Sequence, residues 1–405
     1  LAIRLLTKRL LNESLPPLEM RLATTRGTNA LLEEKGARIA FFVTSGFRDL
    51  LRIGDQRRPD LFELGIRKRQ PLHDSVFEVE ERLNADGEIL VELDETALKE
   101  QALSCIENGI TTGAIAFLHS YRNPDHERRA GEILREAGFD RVSVSSELAP
   151  MIKLLPRAET AVVDAYLAPI MGAYLDAVES AVGESRLSVM TSSGGLVSRP
   201  RYRPKDSLLS GPAGGVVGAS RVGTVAGARR LIAFDMGGTS TDVSRYDGRF
   251  DYQFQQTIGN AKVYAPSLRI ETVAAGGGSI CWYDGAALRV GPESAGASPG
   301  PACYGAGGPL TLTDVNLLLG RLDPSEFSIP VFPEAAADRL EEVISEIHSR
   351  SEEDLTEQEI LKGFLEIANE RMADAIRSIS LRDGYSPSEY ALVAFRGAGG
   401  LHACA

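Results

Sequence analysis

Strand-like and helix-like patterns of apolar and polar positions alternate along the chain. The run from Ala37 to Thr44 is apolar, rich in β-forming residues, and predicts a strand. Phe77–Leu83 and Glu88–Leu93 flank Asn84-Ala85-Asp86-Gly87, a turn sequence that predicts a hairpin. Asp94 stands as N-cap to a helix reaching about Asn108, Thr112–His119 reads as a strand, and Asn123-Pro124 opens a helix that ends at Gly138. A short strand at Arg141–Ser145 completes a β-α-β-α rhythm, which predicts the α/β class with a mostly parallel sheet.

From Ala158 to Val182 the pattern is helical, with an interruption expected near Pro169, where the ring removes a helix hydrogen bond. Leu187–Met190 predicts a strand that leads into Thr191-Ser192-Ser193-Gly194-Gly195. Arg230–Met236 and Thr241–Tyr246 read as strands joined by Gly237-Gly238-Thr239-Ser240, a hairpin closed by Asp247-Gly248. Ala274–Pro309 is so rich in glycine and proline that it reads as mostly loop, its Ala, Cys, Trp and Tyr residues suggesting a packed one. Pro333–Ile379 predicts two helices, and Tyr390–Phe395 a strand followed by Gly397-Ala398-Gly399-Gly400 and a helix start.

Composition narrows the partners. Of 405 residues, 43% are hydrophobic and 25% charged, ordinary for a chain with a sizeable core. A net charge of -12 argues against nucleic acid, which needs a basic face, yet leaves nucleotides open because backbone N–H groups can hold a small phosphate. Four cysteines, none in a Cys-x-x-Cys pair, fit a reducing, cytoplasmic setting. No apolar run of about eighteen residues predicts a membrane span. The basic, amphipathic stretch Leu1–Glu13 reads as a surface helix rather than a transit peptide. A chain that starts at Leu1 and stops at Ala405 just inside a helix reads as a fragment or processed segment.

The sharpest chemical signal is Phe234-Asp235-Met236-Gly237-Gly238-Thr239-Ser240-Thr241-Asp242-Val243-Ser244. Two glycines after an apolar strand let backbone approach a ligand, and consecutive N–H groups can face phosphate oxygens. The hydroxyls of Thr239, Ser240 and Thr241 add donors, and Asp235 at the strand end suits a hydrated Mg²⁺. A tight hairpin with a polar edge explains the same residues. No Gly-Lys-Ser/Thr follows, so this is not a Walker loop, and a strand rather than a helix comes next, so it is not a Rossmann fingerprint. Gly397-Ala398-Gly399-Gly400 suits a nucleotide's sugar or phosphate, or close packing of helix on strand. Ser210-Gly211-Pro212-Ala213-Gly214-Gly215 precedes a small-residue helix that reads mainly as a packing element.

These motifs fall in an ordered series. Thr24-Thr25-Arg26-Gly27-Thr28-Asn29 comes first, then Thr44-Ser45-Gly46-Phe47-Arg48-Asp49, Arg58-Pro59-Asp60-Leu61 and Leu118-His119-Ser120-Tyr121 with Asn123-Pro124 and His126-Glu127. Ser210 to Gly215, Phe234 to Ser244, Ala275-Gly276-Gly277-Gly278-Ser279-Ile280, Gly296 to Cys303 and Thr313-Asp314-Val315-Asn316 follow. In this order the chain, from about Leu22 to Ala405, closely resembles the hydantoinase A/5-oxoprolinase family.

The resemblance implies an actin-like, two-lobed ATPase fold, with residues 1–155 as the first lobe and 156–405 as the second. It implies ATP-dependent opening of a cyclic amide such as 5-oxoproline, the glutathione-linked case, or a hydantoin. ATP with Mg²⁺ or Mn²⁺ would be the cofactors. Asp235 would anchor the metal and, with Thr239, act in catalysis. Gly237, Gly238, Thr239 and Ser240 would bind phosphates, and Gly397, Gly399 and Gly400 the adenosine end. Thr24, Thr25, Thr28 and Asn29 would contact substrate or, equally, cap the helix that follows. A hydantoinase B-like subunit or fused domain would be the partner, in a hetero-oligomer. The ATPase subunit of an acetone or acetophenone carboxylase, and a catalytically incomplete scaffold, are the alternatives.

Three departures from the family pattern stand out. A first Asp-x-Gly-Gly-Thr-Phe-Thr-Asp hairpin is expected upstream of Leu1 and does not occur in this chain. Arg26-Gly27 replaces the usual Val-Ala, and Arg396 stands where glycine is usual. Weaker candidates are His119 and His126 with Asp125 and Glu127, read as packing and capping more than metal ligation. Glu293 and Asp314 read as surface or capping residues, and Cys303, with no base beside it, as structural.

Overall fold

The computed structural model describes residues 2–10, 12–55, 62, 64–65, 70–183, 186–259, 261–350 and 355–404; the Arg58–Leu61 motif lies outside them. The chain forms two compact units, one from Leu1–Gly214 and Tyr252–Leu268, the other from Gly215–Asp251 and Arg269–Ala405. The expected boundary at 155/156 therefore does not separate them. The helix Leu154–Val182 belongs to the first unit because it packs on that unit's sheet.

The first unit is built on four parallel strands in the order Ser75–Val79, Ala40–Thr44, Thr112–Ala116, Arg141–Val144. Every residue of the two central strands is buried, which is why they read as continuous apolar runs. Alternate side chains serve two cores. Phe41, Val43, Ala114 and Ala116 join Val162, Leu167 and Met171 of the long helix, while Ala40, Phe42 and Ile115 join Leu98, Ala102 and Leu134.

The long helix runs unbroken for 29 residues through Pro169, where an interruption was expected. A proline inside a helix costs about 3 kcal/mol, and burial along most of this helix outweighs that cost. It is also long and apolar enough to span a bilayer, but 61% of its most apolar window is buried and it carries the buried Arg157, Thr160 and Asp164, so it is a core helix. Among the described residues three smaller sheets complete the unit: Glu19–Leu22 with Arg186–Met190 and Leu196–Ser198, the expected hairpin as Arg82–Leu83 with Ile89–Val91, and the hairpin Tyr252–Ile258 with Ala261–Leu268. The last hairpin follows a 37-residue excursion into the second unit, and no local pattern announces that its Ile258, Val263 and Ala265 return to the first core.

In the second unit the sheet order is Glu271–Val273, Thr241–Tyr246, Leu231–Met236, Ala391–Phe395. Leu231–Met236 pairs antiparallel with Thr241–Tyr246 and parallel with Ala391–Phe395, so this sheet is mixed, whereas the first unit's four-stranded sheet is parallel as its β-α-β-α rhythm predicts. The helices Pro333–Arg350 and Glu357–Ile379 form as expected, the second opened by a Thr356–Glu359 capping box, and they bury Leu340, Phe364 and Met372 against Ile232, Phe234 and Met236. Ala274–Pro309 is mostly loop, as expected, but Ser279–Tyr283 and Leu288–Ser294 form a hairpin inside it. Ser279, Cys281 and Tyr283 are buried while Ile280 and Trp282 are more open, a period-two pattern hidden by the surrounding glycines.

Candidate active site

Asp235 lies next to the end of a fully buried strand, and the antiparallel register sets it opposite Asp242. Paired residues on adjacent strands point to the same face, so two carboxylates share one side of the hairpin. Gly237 N–H donates to the Ser240 carbonyl at 3.0 Å and closes the turn. Burial raises the Asp235 carboxyl to about 6, Arg396 pulling it down and Asp242 pushing it up. Burial also raises Asp242, opposed by the Thr272 hydroxyl, which donates at 2.6 Å, and by Arg396.

A second loop pins the turn from beneath. Gly277 N–H donates to the Gly237 carbonyl at 3.0 Å and Gly278 N–H to the Gly238 carbonyl at 2.6 Å. A Cβ on Gly276 would sit 2.7 Å from backbone atoms of Gly238 and Thr239, so only glycine fits. The Thr241 hydroxyl donates to the Ala275 carbonyl at 2.5 Å, and the Thr313 hydroxyl to that of Gly277 at 2.9 Å. Gly238 and Thr239 remain exposed at the tip, with Ser240 half-buried.

A third loop leaves the Ala391–Phe395 strand. Ala398 N–H reaches the Met236 carbonyl at 3.3 Å. Arg396 Nε lies 3.0 Å from Asp235 Oδ1, an ion pair without hydrogen-bond geometry, so the Asp235 carboxylate has no hydrogen-bond partner. Gly397 and Gly400 are exposed with open space where a side chain would be, whereas Gly399 is buried and a Cβ there would lie 3.6 Å from the Phe234 carbonyl, a packing position. Gly215 closes the other side: its missing Cβ would lie 3.3 Å from Asp235 Oδ2.

The structure thus gathers Asp235, Gly237, Gly238, Thr239, Ser240, Gly397, Gly399 and Gly400 around one hairpin. Thr24, Thr25, Thr28 and Asn29 lie in the first unit, at the start of the helix Arg26–Leu32. Thr24 Oγ1 accepts from Arg26 N–H at 3.1 Å and Thr28 Oγ1 from Leu209 N–H at 3.2 Å, so both hydroxyls serve local structure. Thr25 and Asn29 are exposed. Gly27 is required, since a Cβ there would fall 2.0 Å from Ser207 Oγ.

The weaker candidates resolve into structure. His126 Nδ1 bonds Glu81 at 2.9 Å in a buried network. Glu127 accepts from Phe117 N–H at 2.7 Å and Ser145 Oγ at 2.7 Å, and pairs with the fully buried Arg157 at 3.3 Å. His119 packs against Tyr121. Among the described residues no cluster of three or more His, Cys, Asp or Glu side chains could hold a metal ion. Asp314 accepts from Ala302, Cys303 and Thr311 N–H groups and caps its helix; Cys303 is buried, its thiol pushed up by burial and by Asp314; Glu293 is exposed.

The hydantoinase/oxoprolinase sequence model matches residues 157–405, and that of the hydantoinase/oxoprolinase N-terminal region matches residues 2–138. The chain belongs to the hydantoinase/oxoprolinase family. A 5-oxoprolinase of Saccharomyces cerevisiae is 43% identical over 95% of this chain and 33% of its own length. The solved ATP-dependent caprolactamase from Pseudomonas jessenii superposes with a TM-score of 0.80 at 33% identity, over 94% of this chain and 57% of that one. Nucleotide-free acetone carboxylase gives 0.75 at 25% identity, over 95% and 57%. The fold is accordingly the α/β, actin-like ATPase class of these two enzymes. The chain spans about a third of the length of the curated 5-oxoprolinases it matches.

Sequence reasoning did not place Gly276–Gly278, Asp242 or Gly215 together at this hairpin. The uninterrupted triplet Gly276-Gly277-Gly278 was the available signal, because three successive residues without Cβ serve close backbone approach. Arg396 was visible as a departure, but its partner was not.

Proposed function

We propose that this chain is the nucleotide-binding, ring-activating part of an ATP-dependent cyclic-amide hydrolase. The observation that carries the reading is the Asp235–Ser240 hairpin, its exposed tip pinned from below by Gly276–Gly278. Relatives named 5-oxoprolinase and caprolactamase support the amide as substrate class.

The residues fit Mg²⁺ (or Mn²⁺) with a nucleotide. Asp235 offers a buried carboxylate with no hydrogen bond of its own, and Gly238 and Thr239 offer exposed backbone at the turn. The metal, when bound, would supply positive charge against the phosphates. Gly237, Gly238, Thr239 and Ser240 hold phosphate oxygens, with the Thr239 hydroxyl available to the transferred phosphoryl group. Gly397 and Gly400 leave room for the sugar and base.

An unstrained amide resists water. Attack of its oxygen on the terminal phosphorus forms an O–P bond as ADP departs, leaving an activated imidate. Water adds to the carbon, the C–N bond breaks with the proton passing to nitrogen, and a second water releases phosphate from the acyl group. The chain's part is positioning and charge stabilisation. Thr25 and Asn29, exposed in the first unit, with Thr24 and Thr28 beside them, are the substrate-contact candidates.

A relative named caprolactamase subunit alpha supports a partner subunit and hence a hetero-oligomer, and the family resemblance makes that partner hydantoinase B-like. Four free cysteines support a reducing cytoplasmic setting. A ketone carboxylase is the second reading, favoured by the acetone carboxylase likeness but at lower identity than the caprolactamase. Lactam-dependent ADP release by the full-length protein tests the assignment: Asp235→Ala should abolish it while circular dichroism stays unchanged. Undiminished turnover, or turnover with ketone and bicarbonate in place of lactam, refutes it.

A further inference from the structure

Arg396 holds a backbone φ of 64°, in the left-handed region that favours glycine, and yet carries a long side chain. That side chain reaches one place. Nε lies 3.0 Å from Asp235 Oδ1, and Nη1 lies 3.6 Å from where a Cβ of Gly237 would be. The receiving carboxylate is 3% exposed, makes no hydrogen bond, and faces Asp242 in register across the hairpin. Asp242 has the Thr272 hydroxyl as a partner; Asp235 has none but the guanidinium. Two carboxylates on one face of a glycine turn make the charge arrangement of a divalent-cation place. Here the chain fills it with its own cation. The Arg396 side chain is 52% exposed, so it can swing out without disturbing the core.

We propose that Arg396 is a resident cation that occupies the place beside Asp235 and Asp242 and excludes divalent metal from it until displaced. The proposal deepens the nucleotide reading by naming what must leave before metal enters. Occupation of the place does not depend on nucleotide, so metal alone probes it. A guanidinium cannot be titrated away at any accessible pH. Loss of its charge therefore does not end the exclusion; movement of the side chain does.

The experiment is titration of the chain with Mn²⁺ alone, followed by electron paramagnetic resonance. Four proteins are compared: wild type, Arg396→Gly, Arg396→Gln, and Arg396→Gly combined with Asp235→Asn. Glycine suits the left-handed backbone, so folding is no obstacle, and glutamine keeps a shorter, polar side chain without the charge. Both single variants should bind one Mn²⁺ at least about tenfold more tightly than wild type. The double variant should lose that gain. Equal Mn²⁺ affinity in wild type and both single variants, absence of binding in all of them, or a gain that survives Asp235→Asn overturns the proposal. A gain in Mn²⁺ affinity without any Mg·ADP binding would uphold the proposal and defeat the nucleotide reading.

Discussion

Asp235→Asn exchanges one carboxylate oxygen for an amide in a site where that carboxylate is 3% exposed and without a hydrogen bond. Unfolded, Asp235 titrates near 3.8; folded, it titrates near 6. Between those values the unfolded chain is ionised while the folded one still holds its proton. Stability is therefore lost as pH rises from 3.8 through 6, and the loss is complete above that window. At about 1.4 kcal/mol per unit, a rise of roughly two units corresponds to about 3 kcal/mol. Burial is the main cause of the rise, and water reaching the site beside the half-exposed Arg396 side chain weakens it, which reduces this to roughly 1–2 kcal/mol. An asparagine carries no charge, so the variant should gain that amount at pH 7.5 and almost nothing at pH 4. Urea unfolding at both pH values, with unchanged m, measures it. A variant no more stable than wild type at pH 7.5, or one shifted equally at both pH values, refutes the reasoning.

Other consequences are smaller in scope. Arg157→Met leaves Glu127 buried beside Phe117 and Ser145 with no compensating cation, and the unfolding free energy from urea titration should fall by about 3–5 kcal/mol; adding Glu127→Gln should recover part of it. His402, buried with Nδ1 2.7 Å from Asn369 Oδ1, is lowered to about 4 by burial and then by Arg321, so its contribution is full above 6.5 and lost as pH falls toward 4. His402→Gln should flatten the stability–pH curve across that window by roughly 2 kcal/mol after screening. Gly276→Ala pushes a methyl to within 2.7 Å of the Gly238–Thr239 backbone, and thermal or urea unfolding should register a loss of about 1–3 kcal/mol.

Local patterns carried much of the fold. The central strands Ala40–Thr44 and Thr112–Ala116 are legible because burial on both faces demands unbroken apolar runs. The Asp235–Ser240 hairpin is legible because a buried, apolar strand runs straight into Gly237-Gly238. What stayed hidden depends on partners distant in sequence. Pro169 reads as a break until the packing around its helix is known, and the Ser279–Tyr283 strand reads as loop until Cys281 is seen buried in the second core. The unit boundary is hidden for the same reason, since only tertiary contact draws Tyr252–Leu268 back to the first unit. At the site, the glycines were legible and the Arg396–Asp235 pair was not, because 161 residues separate its members and no local periodicity links them.

The most direct test of the central claim is a calorimetric titration of this chain with Mg·ADP, beside Asp235→Asn. The account predicts saturable one-to-one binding in the wild type and its loss in a variant that is at least as stable at neutral pH, so that unfolding cannot explain the loss. Binding that survives Asp235→Asn unchanged, or no saturable binding by the wild type, contradicts the assignment of the Asp235–Ser240 hairpin as the phosphate-binding element of this chain.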